Sequence, residues 1–442
     1  DDHVYSSPMK YAVVTFGCRV NQADSFALER QIRAIGGHRS SAEDADLVVV
    51  NSCSVTATAD QGTRQTIRRV ARVNPAAKII ATGCYASRDV DAVTALPGVI
   101  AVVSNENKDT LIQDLLKEID PALPTTAVRF GEGEGACGAM IEPGEVGRTA
   151  YTLRVQTGCD ESCAYCIIPS TRGRGRSVPL HRVLAEVEDA RDAGYRELQL
   201  TGVHLGSYGR DLSPKSSLFE LLQVLDQHDS DVVVRMSSLE PMDCTPEIID
   251  LVTTSRRFAS HFHLPLQHAS DAVLRRMRRP YTCRDYEQVV SRIRKNAPDA
   301  AIGSDVVVGF PGETDVHATE NIRFLNQSPL TYLHVFPYSD RPGTEASKMK
   351  RKVHGKIIRD RARAVREVGS MLSQQFRVAQ VGRVRPGLTL RQKERTVVLT
   401  DNYLRVQVPV SPPENARVHV RILTAADCPA GELVNESLAL DP

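Results

Sequence analysis

The sequence predicts an α/β protein in three parts: an N-terminal doubly wound parallel sheet, a central partial (βα)6 barrel and a C-terminal small β-barrel. Three observations lead there. From Lys10 to Ile119, apolar runs of strand length alternate with helical patterns, as in a parallel sheet covered on both faces. A second alternation, with six strand candidates, starts at Tyr151; six βα units make an incomplete barrel, open on one side. After Val381 short strands separated by turn residues take over, the pattern of a small closed sheet. The expected divisions are 9–120, a linker at 121–148, 149–370 and 371–436.

In the first part the expected strands are Tyr11–Phe16, Leu47–Val50, Lys78–Ala81 and Val99–Val103. Helical patterns lie at Gln22–Ile35, Asp60–Val73, Asp89–Leu96 and Lys108–Ile119. Cys18, Cys53 and Cys84 each follow one of the first three strands, 35 and 31 residues apart, each about one βαβ unit. Parallel strands end at one edge, where open α/β sheets bind ligands, so the three thiols converge there. Gly17 and Gly83 precede two of them and permit tight turns. A single Cys after a strand is ordinarily filler; three at equivalent strand ends read as a ligand set. The natural product is a three-thiolate iron–sulfur cluster with one open iron. Pro121, Pro124 and the run Gly131 to Gly135 mark the linker. Cys137 within it reads as incidental.

The second part opens on Tyr151–Gln156 and then places Cys159, Cys163 and Cys166 in a CxxxCxxC array. Three thiolates hold three corners of a four-iron cubane and leave the fourth iron free to bind a small molecule. A structural zinc site is the alternative; it ordinarily needs four ligands in paired units, and the closest His is His181. The remaining expected strands are Glu197–Thr201, Val232–Met236, His261–Leu264, Ile302–Val308 and Leu333–Phe336. Their following loops, Thr201–Gly209, Ser237–Pro241, Pro265–His268 and Gly309–Glu313, share the carboxyl rim with the Cys array. Such loops build the active site of barrel folds.

Composition sets the class. The chain has 442 residues, 41% hydrophobic and 25% charged, an ordinary globular balance. Ten Cys without a signal peptide argue for a reducing, cytoplasmic setting and metal ligation rather than disulfides. No uninterrupted apolar run is long enough to cross a bilayer, and the short polar C-terminus offers no tail anchor. Net charge is only +1, yet Arg341 to Arg377 holds eleven Lys and Arg against three acids. That segment fits a polyanion partner or, equally, a solvated helix face. The small β-domain that follows, with strands Val381–Leu390, Thr396–Leu399, Tyr403–Pro409 and Ala416–Leu423, carries Arg383, Arg385, Arg391, Arg395, Arg405, Arg417 and Arg421. These arginines suit an RNA backbone; the alternative is a small domain that only packs on the barrel.

The CxxxCxxC array, with the aromatic Tyr165 just before its last Cys, resembles the signature of radical S-adenosylmethionine (SAM) enzymes. The whole order, three scattered Cys, a CxxxCxxC barrel and a small β-domain, resembles the radical SAM methylthiotransferases from Tyr11 to about Val434. The resemblance implies two 4Fe-4S clusters, SAM and an electron-donating reductant. In that family SAM is cleaved to a carbon radical at the open iron, a second cluster handles sulfur, and a TRAM domain binds tRNA. The clusters would be held by Cys159, Cys163 and Cys166, and by Cys18, Cys53 and Cys84. Tyr165, Ser237, Glu240 and Ser304 would touch SAM, with Gln267 and Asp305 as further rim candidates. Arg172 and Arg174 would meet the nucleotide, a phosphate or only a surface carboxylate. Arg275, Arg276, Arg278 and Arg279 would face tRNA or end a solvated helix.

Three branches of the family differ in substrate: isopentenyladenosine in tRNA, N6-threonylcarbamoyladenosine beside the anticodon, and an aspartate of a ribosomal protein. Gly17–Gln22, Ser54-Val55-Thr56, Leu333–Ser339 and Thr400–Tyr403 look like the threonylcarbamoyl branch. The implied partner is then a tRNA anticodon stem-loop. The isopentenyladenosine branch and a non-catalytic iron–sulfur RNA-binding protein stand as alternatives.

Overall fold

The computed structural model describes residues 9–114, 141–144, 149–392 and 395–435. Its first sheet is parallel, in the order β2 (His38–Arg39), β1 (Lys10–Thr15), β3 (Leu47–Ser52), β4 (Lys78–Gly83), β5 (Val99–Val103). β3 is buried at every position, as a central strand covered on both faces must be. Its side chains alternate between two cores. Val48 and Val50 join Ile67 and Val70 of helix α2 (Ala57–Val73). Val49 joins Leu28 and Ile32 of helix α1 (Arg19–Ala34). The sheet is therefore doubly wound, as the alternation of runs predicts.

Local differences have local causes. Helix α1 starts three residues before the expected Gln22, because Cys18 itself is the extended N-cap residue. The expected helix Asp89–Leu96 is the shorter Val90–Thr94, and a further short helix, Cys84–Arg88, precedes it; the two part at Asp89, whose carboxylate accepts the Ala92 N–H at 3.4 Å. Strand β2, a polar pair, carries no apolar run to announce it. Lys108–Thr110 is a 3-10 turn. The expected helix beyond residue 114, Cys137 and most of the linker lie outside the described residues.

Six further parallel strands form the barrel: β6 (Tyr151–Arg154), β9 (Glu197–Thr201) and β10 (Val233–Met236) in one set, β11 (His261–His263), β12 (Ala301–Val308) and β13 (Tyr332–Pro337) in the other. Single bridges, Val234 to Phe258 and Ser238 to His263, join the two sets. A two-stranded ribbon of β7 (Gln156–Thr157) and β8 (Arg176–Ser177) closes the base of the Cys loop. Several helices on the outside start on side-chain caps, including reciprocal Ser217–Glu220 and Thr282–Asp285 capping boxes.

The basic helix Gly355–Gln380 lays Val365, Val368 and Leu372 on the barrel beside β13 and leaves its cationic face outside. It leads into a curled antiparallel sheet in the order β16 (Arg405–Val408), β15 (Arg395–Thr400), β14 (Val384–Gln392), β17 (Arg417–Ile422), β18 (Gly431–Val434). The edges meet at a Gln407–Ala430 bridge. The expected first strand begins later, at Val384, because the helix runs on to Gln380.

Buried ions bolt the parts together. Asp24 of α1 is fully buried and pairs with Lys108 at 2.7 Å, with Arg172 at 2.8 Å and with Arg154 of β6. Asp60 of α2 pairs with Arg88 at 3.0 Å and with Arg341 from the barrel. At the other interface Arg235 of β10 grips Glu197 and donates to the carbonyls of Thr400 and Asp401 at 3.1 and 2.8 Å. Arg385, expected to face RNA, instead pairs with Asp401 at 2.5 Å and Asp299 at 3.7 Å. Docking has claimed it.

Candidate active site

Cys18, Cys53 and Cys84 lie at the carboxyl edge of the first sheet, at the ends of β1, β3 and β4. They are close enough that Cys18 and Cys84 help burial push the Cys53 thiol up to about 11. Gly17 sits at φ +93, and a Cβ there would strike the Cys53 sulfur; only glycine lets the backbone pass the thiol so closely. The Cys53 sulfur accepts the Val55 N–H at 3.5 Å, and Cys84 accepts Asn105 Nδ2 at 3.6 Å. Burial would raise the Cys84 thiol, but Arg172 and Lys108 outweigh it and bring it below the ordinary thiol value.

Cys159, Cys163 and Cys166 sit on the loop after β7. Each sulfur has its own donor: Glu161 N–H on Cys159 and Ile168 N–H on Cys166, both at 3.4 Å, and Arg279 Nη1 on Cys163 at 3.2 Å. Burial and the two neighbouring thiols push Cys166 up to about 12. His204 Nε2 meets Asp243 at 2.7 Å while Nδ1 faces the Cys159 sulfur at 3.8 Å. Burial opposes its charge, yet the Asp243 and Cys159 contacts win and raise it to about 9.

Both donor sets fit an iron–sulfur cluster. Cys53 and Cys166, one in each set, resist ionising alone, and a bound metal supplies the missing positive charge. N–H donors aimed at five of the six sulfurs, all but that of Cys18, are the surroundings such clusters use. No disulfide consumes these thiols among the described residues. The two sets are neighbours: the helix that begins at Cys84 packs on the helix Ile168–Arg172, and Asn105 Nδ2 reaches both Cys84 and the Thr171 carbonyl, the latter at 2.9 Å.

A cavity of about 710 Å³ opens between the sheet edge and the barrel rim, enough for a nucleoside and its substituent. Cys18 and Cys53 line it from one side, and Gly202, Ser237 and Asp305 from the other. The hydroxyl oxygen of Ser237 is buried with no hydrogen-bond partner among the described residues, as expected of a group that waits for a ligand. Glu240 stands beside the second thiol set through its ion pair with Arg279. Tyr165 packs edge-on to Phe310 at 6.4 Å. Gln267 holds a left-handed φ of +66 and bridges to β12. Asp305 bonds His263 at 2.9 Å and His334 at 3.2 Å. Ser304 lies one layer down, fully buried, accepting the Leu266 N–H at 3.0 Å.

Two groups of arginines are taken up by contacts within the chain. Arg172 is buried against Asp24 and Asn21, beside Cys84 rather than on the open rim. Arg174 is exposed and pairs with Asp160 at 3.1 Å. In the Arg275–Arg279 run, Arg278 takes a left-handed C-cap at φ +58, which turns Arg279 inward onto Cys163, Glu240 and the Tyr281 hydroxyl. Arg276 bonds the Gly312 carbonyl and Arg278 pairs with Glu345. A run of four arginines read by charge alone hides one that donates to the Cys163 sulfur. Arg279→Met is expected to weaken iron retention by Cys159, Cys163 and Cys166 about 10–100-fold, the usual cost of losing a ligand's supporting partner; iron loss against a chelator measures it.

Fold and thiols together define a radical SAM barrel carrying a second thiol-bearing sheet domain. Residues 10–104 match the Uncharacterized protein family UPF0004, and residues 153–325 match the Radical SAM superfamily. The threonylcarbamoyladenosine tRNA methylthiotransferase MtaB of Aquifex aeolicus is 36% identical across 90% of this chain and 96% of its own. The tRNA-2-methylthio-N(6)-dimethylallyladenosine synthase of Acidothermus cellulolyticus is 32% identical across 97% and 85%. Among solved structures, the radical S-adenosylmethionine methyltransferase TsrM of Kitasatospora setae shares the fold, with a TM-score of 0.55, 16% identity and 77% of each chain covered. The chain belongs to the radical SAM methylthiotransferase family.

Proposed function

We propose that the protein transfers a methylthio group to carbon 2 of N6-threonylcarbamoyladenosine, next to the anticodon of tRNA. One observation carries the reading: a nucleoside-sized cavity has the sheet-edge thiols Cys18 and Cys53 on one wall and the barrel rim on the other. The relatives with that activity match nearly the full chain. When bound, two 4Fe-4S clusters and SAM supply one-electron chemistry and sulfur to this cavity. Such chemistry is required because the hydrogen on the adenine carbon is not acidic, and no His, Asp or Glu would remove it at neutral pH.

The chain's own residues hold and orient. Cys159, Cys163 and Cys166 hold one cluster and Cys18, Cys53 and Cys84 the other. Ser237 and Glu240 face SAM, with Tyr165, Gln267, Ser304 and Asp305 shaping the surrounding rim. The reading places the enzyme in the cytoplasm with tRNA and an electron-donating reductant; no helix among the described residues is long and apolar enough to cross a membrane. Nucleoside analysis of tRNA from cells with and without the gene tests it. Loss of the methylthio group from threonylcarbamoyladenosine supports the reading, whereas loss only from isopentenyladenosine replaces it.

RNA would be gripped by exposed cations of the curled sheet. Arg383, Arg395 and Arg405 are exposed, and no carboxylate among the described residues pairs with them. Changing all three to Gln is expected to weaken tRNA binding and lower the slope of log affinity against log salt by about 2 to 3. An unchanged slope takes this face out of the RNA site.

A further inference from the structure

Arg19 is the first residue of α1, beside Cys18, and lines the cavity. Its Nη1 donates to the Gln199 side-chain carbonyl of β9, and its Nη2 donates to the Tyr403 hydroxyl at 3.2 Å. All three parts of the chain thus meet at one guanidinium. Tyr403 is fixed there: it holds a left-handed φ of +69, which a non-glycine residue adopts only when its surroundings impose it. Its ring lies 4.4 Å from His261 and 5.7 Å from Tyr332, centroid to centroid.

The charges on the cavity wall are otherwise spoken for. Arg235 is clasped by both Glu197 oxygens at 3.0 Å and by two backbone carbonyls. His263 and His334 share the Asp305 carboxylate. Burial, with Arg235 and His263 nearby, holds His261 well below the ordinary imidazole range, so it is neutral. Asp305 is the one carboxylate in the lining. Arg19 has neutral partners, and no carboxylate among the described residues pairs with it. Two of its five N–H donors are used, leaving three for an anion.

We propose that Arg19, held by Gln199 and Tyr403, binds the carboxylate of the N6-threonylcarbamoyl group and makes the site selective for an anionic substituent. This rests on the proposed substrate. The threonyl moiety ends in a carboxylate, which an arginine fork matches in charge and shape. An apolar isopentenyl chain would leave the cation partly desolvated without a partner, which disfavours that substrate. The SAM carboxylate and RNA phosphates are other anionic groups, so the test alters only the nucleoside.

The experiment uses full-length protein with both clusters reconstituted anaerobically, and two anticodon stem-loop RNAs. One carries N6-threonylcarbamoyladenosine and the other its methyl ester. For the unaltered protein the ester is expected to lower kcat/KM about 10–100-fold, the range of a hydrogen bond to a charged group. In Arg19→Gln the acid falls by a similar factor, and acid and ester then agree within about twofold, the error of additivity. Tyr403→Phe, which removes one anchor and no charge, narrows the preference partway. Equal rates on both RNAs by the unaltered protein overturn the proposal even if Arg19→Gln fails to hold iron. So does a variant that keeps the full preference. Absence of product from either RNA while SAM is consumed instead refutes the proposed substrate.

Discussion

Cys53→Ala is expected to abolish methylthio transfer while reductive cleavage of SAM continues. Cys53 lies 3% exposed at the end of β3, one of three thiols around a shared point. With it gone, two thiols remain to hold iron, and the loss exceeds the about 100-fold that a supporting partner costs. Cys159, Cys163 and Cys166 stand on a separate loop with their own donors, Glu161, Ile168 and Arg279, and none of those contacts passes through Cys53. Counting 5′-deoxyadenosine and thiolated nucleoside in one reaction separates the two activities. Continued thiolation would show that the sheet-edge thiols do not handle sulfur.

The second large effect is on stability. Asp24→Asn is expected to cost about 3–5 kcal/mol, the penalty for removing one member of a buried ion set. Asp24 is fully buried among Lys108, Arg154 and Arg172, so the variant leaves three cations facing each other. The pH dependence has a definite sign. Burial would raise the Asp24 carboxyl, but Arg172, Lys108 and Arg154 overcome it and hold it far below the usual carboxylate range. An unfolded aspartate titrates near about 3.9. The stabilisation is therefore complete above that pH and drains away as pH falls below it, as the folded group resists the proton that the unfolded one accepts. Denaturation of the native chain should show this slope between about pH 4 and pH 3, and the Asn variant should lose that share of it. Because Arg172 and Lys108 also face Cys84, the same variant should loosen the sheet-edge thiols.

Much of this was legible in the sequence because it rests on period and spacing. Val48, Val49 and Val50 form an unbroken apolar run, and that marks a central parallel strand. Cys18, Cys53 and Cys84 fall one βαβ unit apart, which carries them to one edge. What stayed hidden depends on contacts between residues far apart in the chain. Nothing local distinguishes Arg279 from the three arginines before it; the left-handed Arg278 redirects it. Arg172 follows the Cys loop closely and so reads as a substrate contact, yet its partner Asp24 is 148 residues away. Thr400–Tyr403 stands out in the sequence only as a branch signature; Arg235 pins its carbonyls to the barrel and so brings Tyr403 to the cavity wall. His204 and Asp243 converge on Cys159 from separate rim loops; their place after strands was the only available sign.

The most direct test is iron and acid-labile sulfide in anaerobically purified protein, compared with Cys53→Ala and Cys163→Ala. Two separate clusters predict about eight irons per chain in the native protein and about four in each variant. About four in the native chain, unchanged by Cys53→Ala, would contradict a cluster at the sheet edge.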